Sequence, residues 1–109
     1  MGYLTTFILT IKEDPNDEYS EIELYLNSDD NEDKYFYHLL DRDYNDAVTW
    51  YNHETDMKEI SKLFPDVVFQ LDGEGNQNLD VWTKYFKNGK MQDCPAIISF
   101  DEYNENKLI

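Results

Sequence analysis

The sequence predicts a single α+β domain over residues 1–109, with an antiparallel sheet, one main helix packed on one face, and a three-stranded meander at the end. Short runs of alternating apolar and polar residues recur along the chain, as expected of strands. One segment, residues 53–64, has helical apolar spacing. Apolar residues make up 40% of the chain and aromatic residues 16%, so the protein can bury a core despite its high charge.

The first third of the chain contains two runs of alternating residues. Residues 5–11 alternate and predict the first strand, and residues 14–17 predict a turn around Pro15. Residues 21–26 also alternate and predict a second strand that pairs with the first in a hairpin. Its predicted inner face consists of Ile22, Leu24 and Leu26. The carboxylates of Glu21 and Glu23 are then expected on the solvent face.

The middle of the chain predicts a loop, an ambiguous segment and a helix. Residues 27–33 contain no apolar residue and predict an acidic loop. Residues 35–40 fit a strand or a short helix, and their aromatic residues favour a strand. The helix over residues 53–64 is expected to begin after an Asn52 N-cap and to stop at Pro65.

The last third predicts the meander. Residues 67–71 have strand periodicity, and two further β-rich runs, 79–86 and 90–100, flank an Asn-Gly dipeptide at positions 88 and 89. Asn-Gly is a preferred type I′ hairpin turn because both residues tolerate positive φ. Pro95 cannot donate to a strand ladder, so it predicts an edge position or a bulge.

Residues 50–100 carry a pattern of structural residues that resembles a known family. The pattern comprises Trp50-Tyr51-Asn52-His53-Glu54, Asp56-Met57, Ser61, Phe64-Pro65-Asp66-Val67, Phe69, Gly73-Glu74-Gly75, Asp80-x-Trp82 and Tyr85-Phe86-Lys87-Asn88-Gly89-Lys90. It is similar to the ferredoxin-like meander domain named after the plasmid protein YubB, seen in small proteins of phage and mobile elements. The resemblance implies a fold and a mobile-element origin. It implies no functional residue, because the pattern carries no known active site.

The charge of the chain restricts its partners. Twenty-four Asp and Glu face nine Lys and Arg, a formal net charge of −15. Residues 1–46 carry a net −10 and residues 47–109 a net −5. Such a protein is repelled by nucleic acid and by anionic lipid surfaces, which argues against direct binding to either. We therefore expect a basic protein as its partner, with the contact in the first half of the chain.

The leading functional hypothesis is a phage or mobile-element inhibitor that mimics DNA. It would bind the basic nucleic-acid-binding groove of a host defence protein, in the manner of an anti-CRISPR protein. On a strand, Glu21 and Glu23 would lie about 6.6 Å apart, close to twice the phosphate spacing of one DNA strand, about 6.8 Å. The predicted charged contacts are Glu21, Glu23, Asp29, Asp30, Glu32 and Asp33, with Tyr25 and Tyr35 as anchors. The alternative for these carboxylates is a face that only keeps the protein in solution.

Two further functions remain open at this point. The first is an immunity protein or antitoxin that caps a basic toxin. The second is a self-assembling module whose outer strand pairs with the same strand of another copy. Pro95 near that strand argues against self-pairing. Oligomeric state is not predicted.

Catalysis, cofactors and metals are not expected. No nucleophile and base occur at motif spacing, and no glycine-rich phosphate loop is present. His38, His53 and Cys94 are too few for a structural zinc site. A cytoplasmic location is expected, because Cys94 is the single cysteine and the sequence shows neither a signal peptide nor a membrane span.

Overall fold

The fold is built on one four-stranded antiparallel sheet. A computed structural model describes residues 4–37, 39–40, 47–75, 80–96, 99–100 and 102–109. The strands are β1 (Thr5–Glu13), β2 (Val68–Gly75), β3 (Val81–Lys87) and β4 (Lys90–Pro95). The helices are α1 (Tyr19–Leu26) and α2 (His53–Leu63), with 3₁₀ helices at Asp29–Asn31 and Glu105–Lys107.

The sheet order follows the chain order, β1-β2-β3-β4. The predicted α+β class is confirmed, and β2, β3 and β4 form the predicted antiparallel meander. Strand β1 pairs with β2, Leu9 facing Leu71 in the register. The connection between these two strands, residues 14–67, contains both α-helices. The ferredoxin-like relationship stays a prediction.

The predicted strand at residues 21–26 is wrong, because this segment forms α1. Ile22 and Leu26, four residues apart, are 0% exposed, whereas Leu24 is 72% exposed. A helix puts residues i and i+4 on one face and i+2 on the far side. The segment therefore buries its apolar pair with helical spacing, and the predicted hairpin with the first strand does not form.

Residues 35–40 also depart from the favoured strand. Their described part forms successive turns, with Tyr37 N–H donating to the carbonyl of Lys34 and Leu39 N–H to that of Phe36. Phe36 and Leu40 are buried in the core. His38 lies outside the described residues. Phe36, one of the aromatic residues that favoured a strand, instead packs beside α1, where its ring stacks on that of Tyr25.

The predicted helix and hairpin are confirmed, although β4 ends at Pro95 rather than at Phe100 and the Asn52 side chain makes no capping hydrogen bond. Helix α2 begins after Asn52 and ends before Pro65. The turn residues Asn88 and Gly89 have φ values of 48° and 79°, as a type I′ turn requires. Ser61 joins the two elements, because its hydroxyl accepts a 2.8 Å hydrogen bond from Gly89 N–H. Strand β4 forms an edge of the sheet, as Pro95 predicted.

The core lies on one face of the sheet, covered by the helices and turns of the β1–β2 connection. It consists of Phe7, Leu9, Ile22, Leu26, Phe36, Leu40, Trp50, Met57, Ile60, Val67, Phe69, Leu71 and Phe86. Alternate residues of each strand point to the opposite face. On β2 these alternate residues, from Val68 to Glu74, are half-buried or exposed.

Candidate functional site

The predicted charged contacts lie on α1, on the 3₁₀ helix Asp29–Asn31 and directly after it. We call them the acidic surface; its members are Glu21, Glu23, Asp29, Asp30, Glu32 and Asp33. All six side chains are exposed. Within the described residues none of them forms a salt bridge, and the ion pair found there joins Lys84 to Glu54. The acidic surface is thus a set of solvated charges without internal neutralisation from the described residues.

The arrangement of Glu21 and Glu23 differs from the strand geometry predicted for them. Each residue of an α-helix turns the chain by about 100°, so residues two apart point about 200° apart around the axis. The two carboxylates therefore lie on different flanks of α1 and do not form a row with the spacing of phosphates. Glu21 and Glu23 therefore do not have the predicted spacing of DNA phosphates, and that prediction is wrong.

Leu24 lies on the outward face of α1, between those two flanks. Its large exposed fraction places an apolar side chain among the surrounding carboxylates. Protein interfaces commonly combine a central apolar anchor with a polar rim. The alternating pattern assigned Leu24 to the core, and the helical spacing of Ile22 and Leu26 was the signal for its true position.

The negative end of α1 adds to the charge of the acidic surface. The C-cap is Asn27, and the last turn holds no basic residue. Asp29 and Asp30 follow directly, at the end where the helix macrodipole is negative and cations are favoured. Asn31, which is buried, fixes this geometry by donating a 2.7 Å hydrogen bond to the carbonyl of Tyr25. Negative potential is therefore concentrated here.

The two predicted tyrosine anchors have different surroundings. Tyr25 is half-buried and stacks on Phe36, with ring centroids 6.4 Å apart, while Phe64 meets it edge-on at 6.3 Å. Tyr35 is exposed, and its hydroxyl lies 3.5 Å from Oγ1 of Thr49. Tyr25 therefore supports the acidic surface from below, whereas Tyr35 is available to a partner.

A second polar cluster, which the sequence did not predict, joins α2 to β3. Lys84 is buried, and its Nζ lies 2.8 Å from Oε2 of Glu54 and 2.8 Å from Nε2 of His53. The same ammonium lies 4.3 Å from the ring centroid of Trp82, within the range of a cation–π interaction. One buried cation is thus stabilised by a carboxylate, an imidazole and an aromatic ring.

The hydrogen bonds of His53 define its tautomer. Nδ1 lies 3.0 Å from the carbonyl oxygen of Trp50, which can only accept, so Nδ1 carries the proton. Nε2 then accepts from the Lys84 ammonium. Burial lowers the pKa of His53, and the nearby Lys84 charge lowers it further, against the opposing effect of the Trp50 hydrogen bond. The hydrogen bond from Lys84 lowers the pKa of Glu54. The Lys84 ammonium therefore lies between a neutral imidazole and a carboxylate.

Trp82 organises this cluster from β3. Its ring stacks on the ring of His53 at 5.0 Å and lies over Gly73, where an added Cβ would collide with the indole. A cavity of about 210 Å³ opens beside it, lined by Phe7, Trp50 and His53 among others. The polar groups of Lys84, Glu54 and His53 satisfy one another. The arrangement is therefore that of a support for the α2–β3 packing.

Among the residues that the structure describes, no three His, Cys, Asp or Glu side chains are grouped in a way that could hold a metal ion. Neither α-helix of the described ranges has the length and apolar character needed to cross a bilayer.

The comparisons with known proteins give no relative for this chain. No known protein family, curated protein or solved structure matches it.

Proposed function

We propose that this protein is an inhibitor that binds the basic, nucleic-acid-binding groove of another protein and blocks it by occupation. The observation that supports this proposal is the acidic surface itself. Its six carboxylates are exposed, form no salt bridge within the described residues, and include a pair at the negative end of α1. Lysine and arginine side chains of a basic groove would supply the counter-charges, and charge complementarity speeds the encounter of the two proteins.

The contact combines charge with an apolar anchor. The exposed side chains of Leu24, at the centre of the outward face of α1, and Tyr35 would enter the apolar parts of the groove, while the carboxylates would meet its basic side chains. Mimicry of nucleic acid then resides in the density of negative charge, since Glu21 and Glu23 do not reproduce the spacing of phosphates. Binding of this kind requires no catalytic step, so we propose a function without enzymatic activity.

We further propose that the target is a host defence protein, such as a CRISPR effector, and that the protein acts inside the host cell on behalf of a phage or mobile element. This part of the proposal rests on the charge and on the YubB-like pattern of residues 50–100. An immunity protein that caps a basic toxin would use the same contact chemistry. The identity of the displaced target distinguishes the two.

The proposal can be tested by displacement of proteins from DNA. Bacterial proteins retained on immobilised double-stranded DNA are washed with this protein, and the released proteins are identified by mass spectrometry. We expect release of a specific DNA-binding protein. The binding of this released protein to the inhibitor should weaken as the salt concentration rises. A variant with Asp29→Asn, Asp30→Asn, Glu32→Gln and Asp33→Asn should release much less.

The control removes two charges elsewhere, through Glu59→Gln and Glu74→Gln, which are exposed on α2 and β2. This control should release as much as the wild-type protein. Equal release by the wild-type protein and the acidic-surface variant would show that binding uses another surface. Absence of any released protein would contradict the proposed mimicry of nucleic acid.

A further inference from the structure

The open face of the sheet carries a groove with the opposite charge to the rest of the molecule. It measures about 670 Å³ and lies where β1 ends and β3 turns into β4. Its lining includes Lys12, Lys87, Lys90, Tyr85, Val68 and Met91. The chain has nine basic residues in all, and three of them lie here, with Glu13 as the one carboxylate of the lining. We call this site the lysine groove.

The positions of two lysines in the groove lower the stability of the fold. Lys87 and Lys90 are directly opposite each other in the β3–β4 register, where like charges destabilise a strand pair. The ammonium of Lys12 lies 5.5 Å from the ring centroid of Tyr85. A carboxylate bound between these ammonium groups would relieve their repulsion. The lysine groove is therefore suited to an acidic segment that also carries apolar side chains.

Residues 99–109 form a segment of that kind. Its ten described residues are all exposed, including Phe100 at 90%, Tyr103 at 79% and Leu108 at 64%. Within the segment, Lys107 N–H donates to the carbonyl of Asn104 and Leu108 N–H to that of Glu105. The radius of gyration of the protein is 17.0 Å, against about 13 Å for a compact domain of this size. Large apolar side chains of this segment are thus held in solvent.

We infer that residues 99–109 of one copy dock in the lysine groove of a second copy. The carboxylates of Glu102 and Glu105 then meet the lysines of the groove. Tyr103 and Leu108 cover its apolar lining. Reciprocal docking gives each copy one donated and one received segment, so the dimer closes with two-fold symmetry.

The position of the segment favours a second copy over its own groove. The segment follows β4, which ends at Pro95, whereas the lysine groove lies beside the turn at residues 88–89. The two ends of this six-residue strand lie about 17 Å apart. The apolar side chains of the segment are also exposed and do not cover the groove of the same chain.

The net charge sets the conditions for this association. Two copies with a net charge of −15 repel each other at low salt. The Debye length falls to about 8 Å at physiological ionic strength, which screens this repulsion while contacts at hydrogen-bond distance persist. We therefore expect the dimer at moderate salt and its loss at very low salt.

The test measures the mass of the full-length protein by light scattering over a wide concentration range at moderate salt. The wild-type mass should rise to twice the monomer mass. Two variants, Lys87→Glu with Lys90→Glu in the groove and Glu102→Lys with Glu105→Lys in the segment, should each stay monomeric. An equimolar mixture of the two should regain the doubled mass, because each reversed groove then faces a reversed segment.

The control, Lys34→Glu with Lys58→Glu, reverses two charges outside the groove and should dimerise like the wild-type protein. The segment variant changes only exposed residues, so it tests the inference even if the groove variant fails to fold. A wild-type mass that stays at the monomer value would overturn the inference. Docking of the segment in the groove of its own chain would give that result. A wild-type dimer that survives both reversals, or a mixture that stays monomeric, would also overturn it.

Discussion

Nζ of Lys84 lies 2.8 Å from Nε2 of His53, across the contact between α2 and β3. Glu54, the residue after His53, reaches the same ammonium at 2.8 Å, and the ring of Trp82 lies beneath it. The first residues of α2 are thus bound to the centre of β3 through one buried cation. Because these groups share that cation, removing different partners should have unequal effects on stability.

The first prediction concerns this inequality. Glu54→Gln should lower the free energy of unfolding by about 1–3 kcal/mol, because the buried Lys84 ammonium loses its carboxylate partner. Lys84→Met should cost less, since methionine keeps the packing on Trp82 and the Glu54 carboxylate can turn to water, being 42% exposed. Urea unfolding of the two variants measures the difference. Equal costs, or a larger cost for Lys84→Met, would contradict this account of the cluster.

The second prediction is a loss of stability in mild acid. The pKa of His53 lies below its ordinary value of 6.5 in the folded protein, so the unfolded chain binds the proton more readily. The contribution of His53 to stability is therefore complete above pH 6.5 and lost as pH falls through the folded pKa. The charged groups near its ring are Lys84, which opposes protonation, and Glu54 and Asp93, which favour it.

Urea unfolding at a series of pH values, for the wild-type protein and His53→Gln, isolates this effect. Protonation of carboxylates in acid relieves their mutual repulsion in both proteins. This effect therefore cancels in the difference between their free energies of unfolding. The lowered pKa of Glu54 acts in a separate window, below its ordinary value of 4.5. A difference that stays constant from neutral pH down to about pH 5 would show that His53 is not buried in its neutral form.

Local signals explain which parts of the fold could be predicted from the sequence. Helix α2 was predicted because Asn52 and Pro65 mark its ends, and the β3–β4 hairpin because Asn-Gly selects one turn type. Residues 21–26 satisfy two periods at once, since Ile22 and Leu26 share a face in a strand and in a helix. The sheet pairs β1 with β2 instead, a long-range pairing that no local pattern indicates.

The α2–β3 cluster was beyond prediction from the sequence for a related reason. Lys84 and His53 are 31 residues apart, and no motif connects them. The available signal was the period of β3, which puts Lys84 on the same covered face as Trp82 and Phe86. A lysine at such a position requires a buried partner, but the sequence does not reveal which one.

The third prediction compares two glycines. Gly73→Ala should destabilise the protein by about 1–3 kcal/mol, because the new Cβ would displace the Trp82 ring from its place over β2. Gly89→Ala should cost about 1 kcal/mol through its φ of +79°, while the close contact with the Lys62 side chain relaxes. Near-ultraviolet circular dichroism should change in the Gly73 variant alone. An unchanged spectrum for that variant would contradict the close approach.

The fourth prediction is an increase of thermal stability with salt. A net charge of −15 destabilises the compact state through self-repulsion, and salt screens it. The melting temperature should rise as ionic strength increases from about 0.01 M to about 0.15 M, where the Debye length falls from about 30 Å to about 8 Å. Scanning calorimetry measures this rise. A variant with four carboxylates of the acidic surface neutralised should respond less, and an equal response would place the dominant repulsion elsewhere.

The last prediction separates binding from stability on α1. Glu23→Lys introduces a cation into the last turn of the helix, which holds none, and should raise the free energy of unfolding by about 0.3–1 kcal/mol. The same change should weaken binding to the basic partner released from DNA. Leu24→Ser removes the exposed apolar anchor and should also weaken binding, while stability changes by less than about 0.5 kcal/mol.

Leu63→Ser is the matched control, because Leu63 is likewise exposed, at 53%, and lies on α2 outside the acidic surface. Binding should survive this substitution. Leu24→Ser and Leu63→Ser would weaken binding equally only if the loss of any exposed leucine has the same effect. That result would show that α1 is not the contact. If Glu23→Lys gains stability and keeps full binding, the acidic surface only keeps the protein in solution. If Glu23→Lys gains stability and loses binding, unfolding cannot explain the loss. That result would assign the contact to α1 itself.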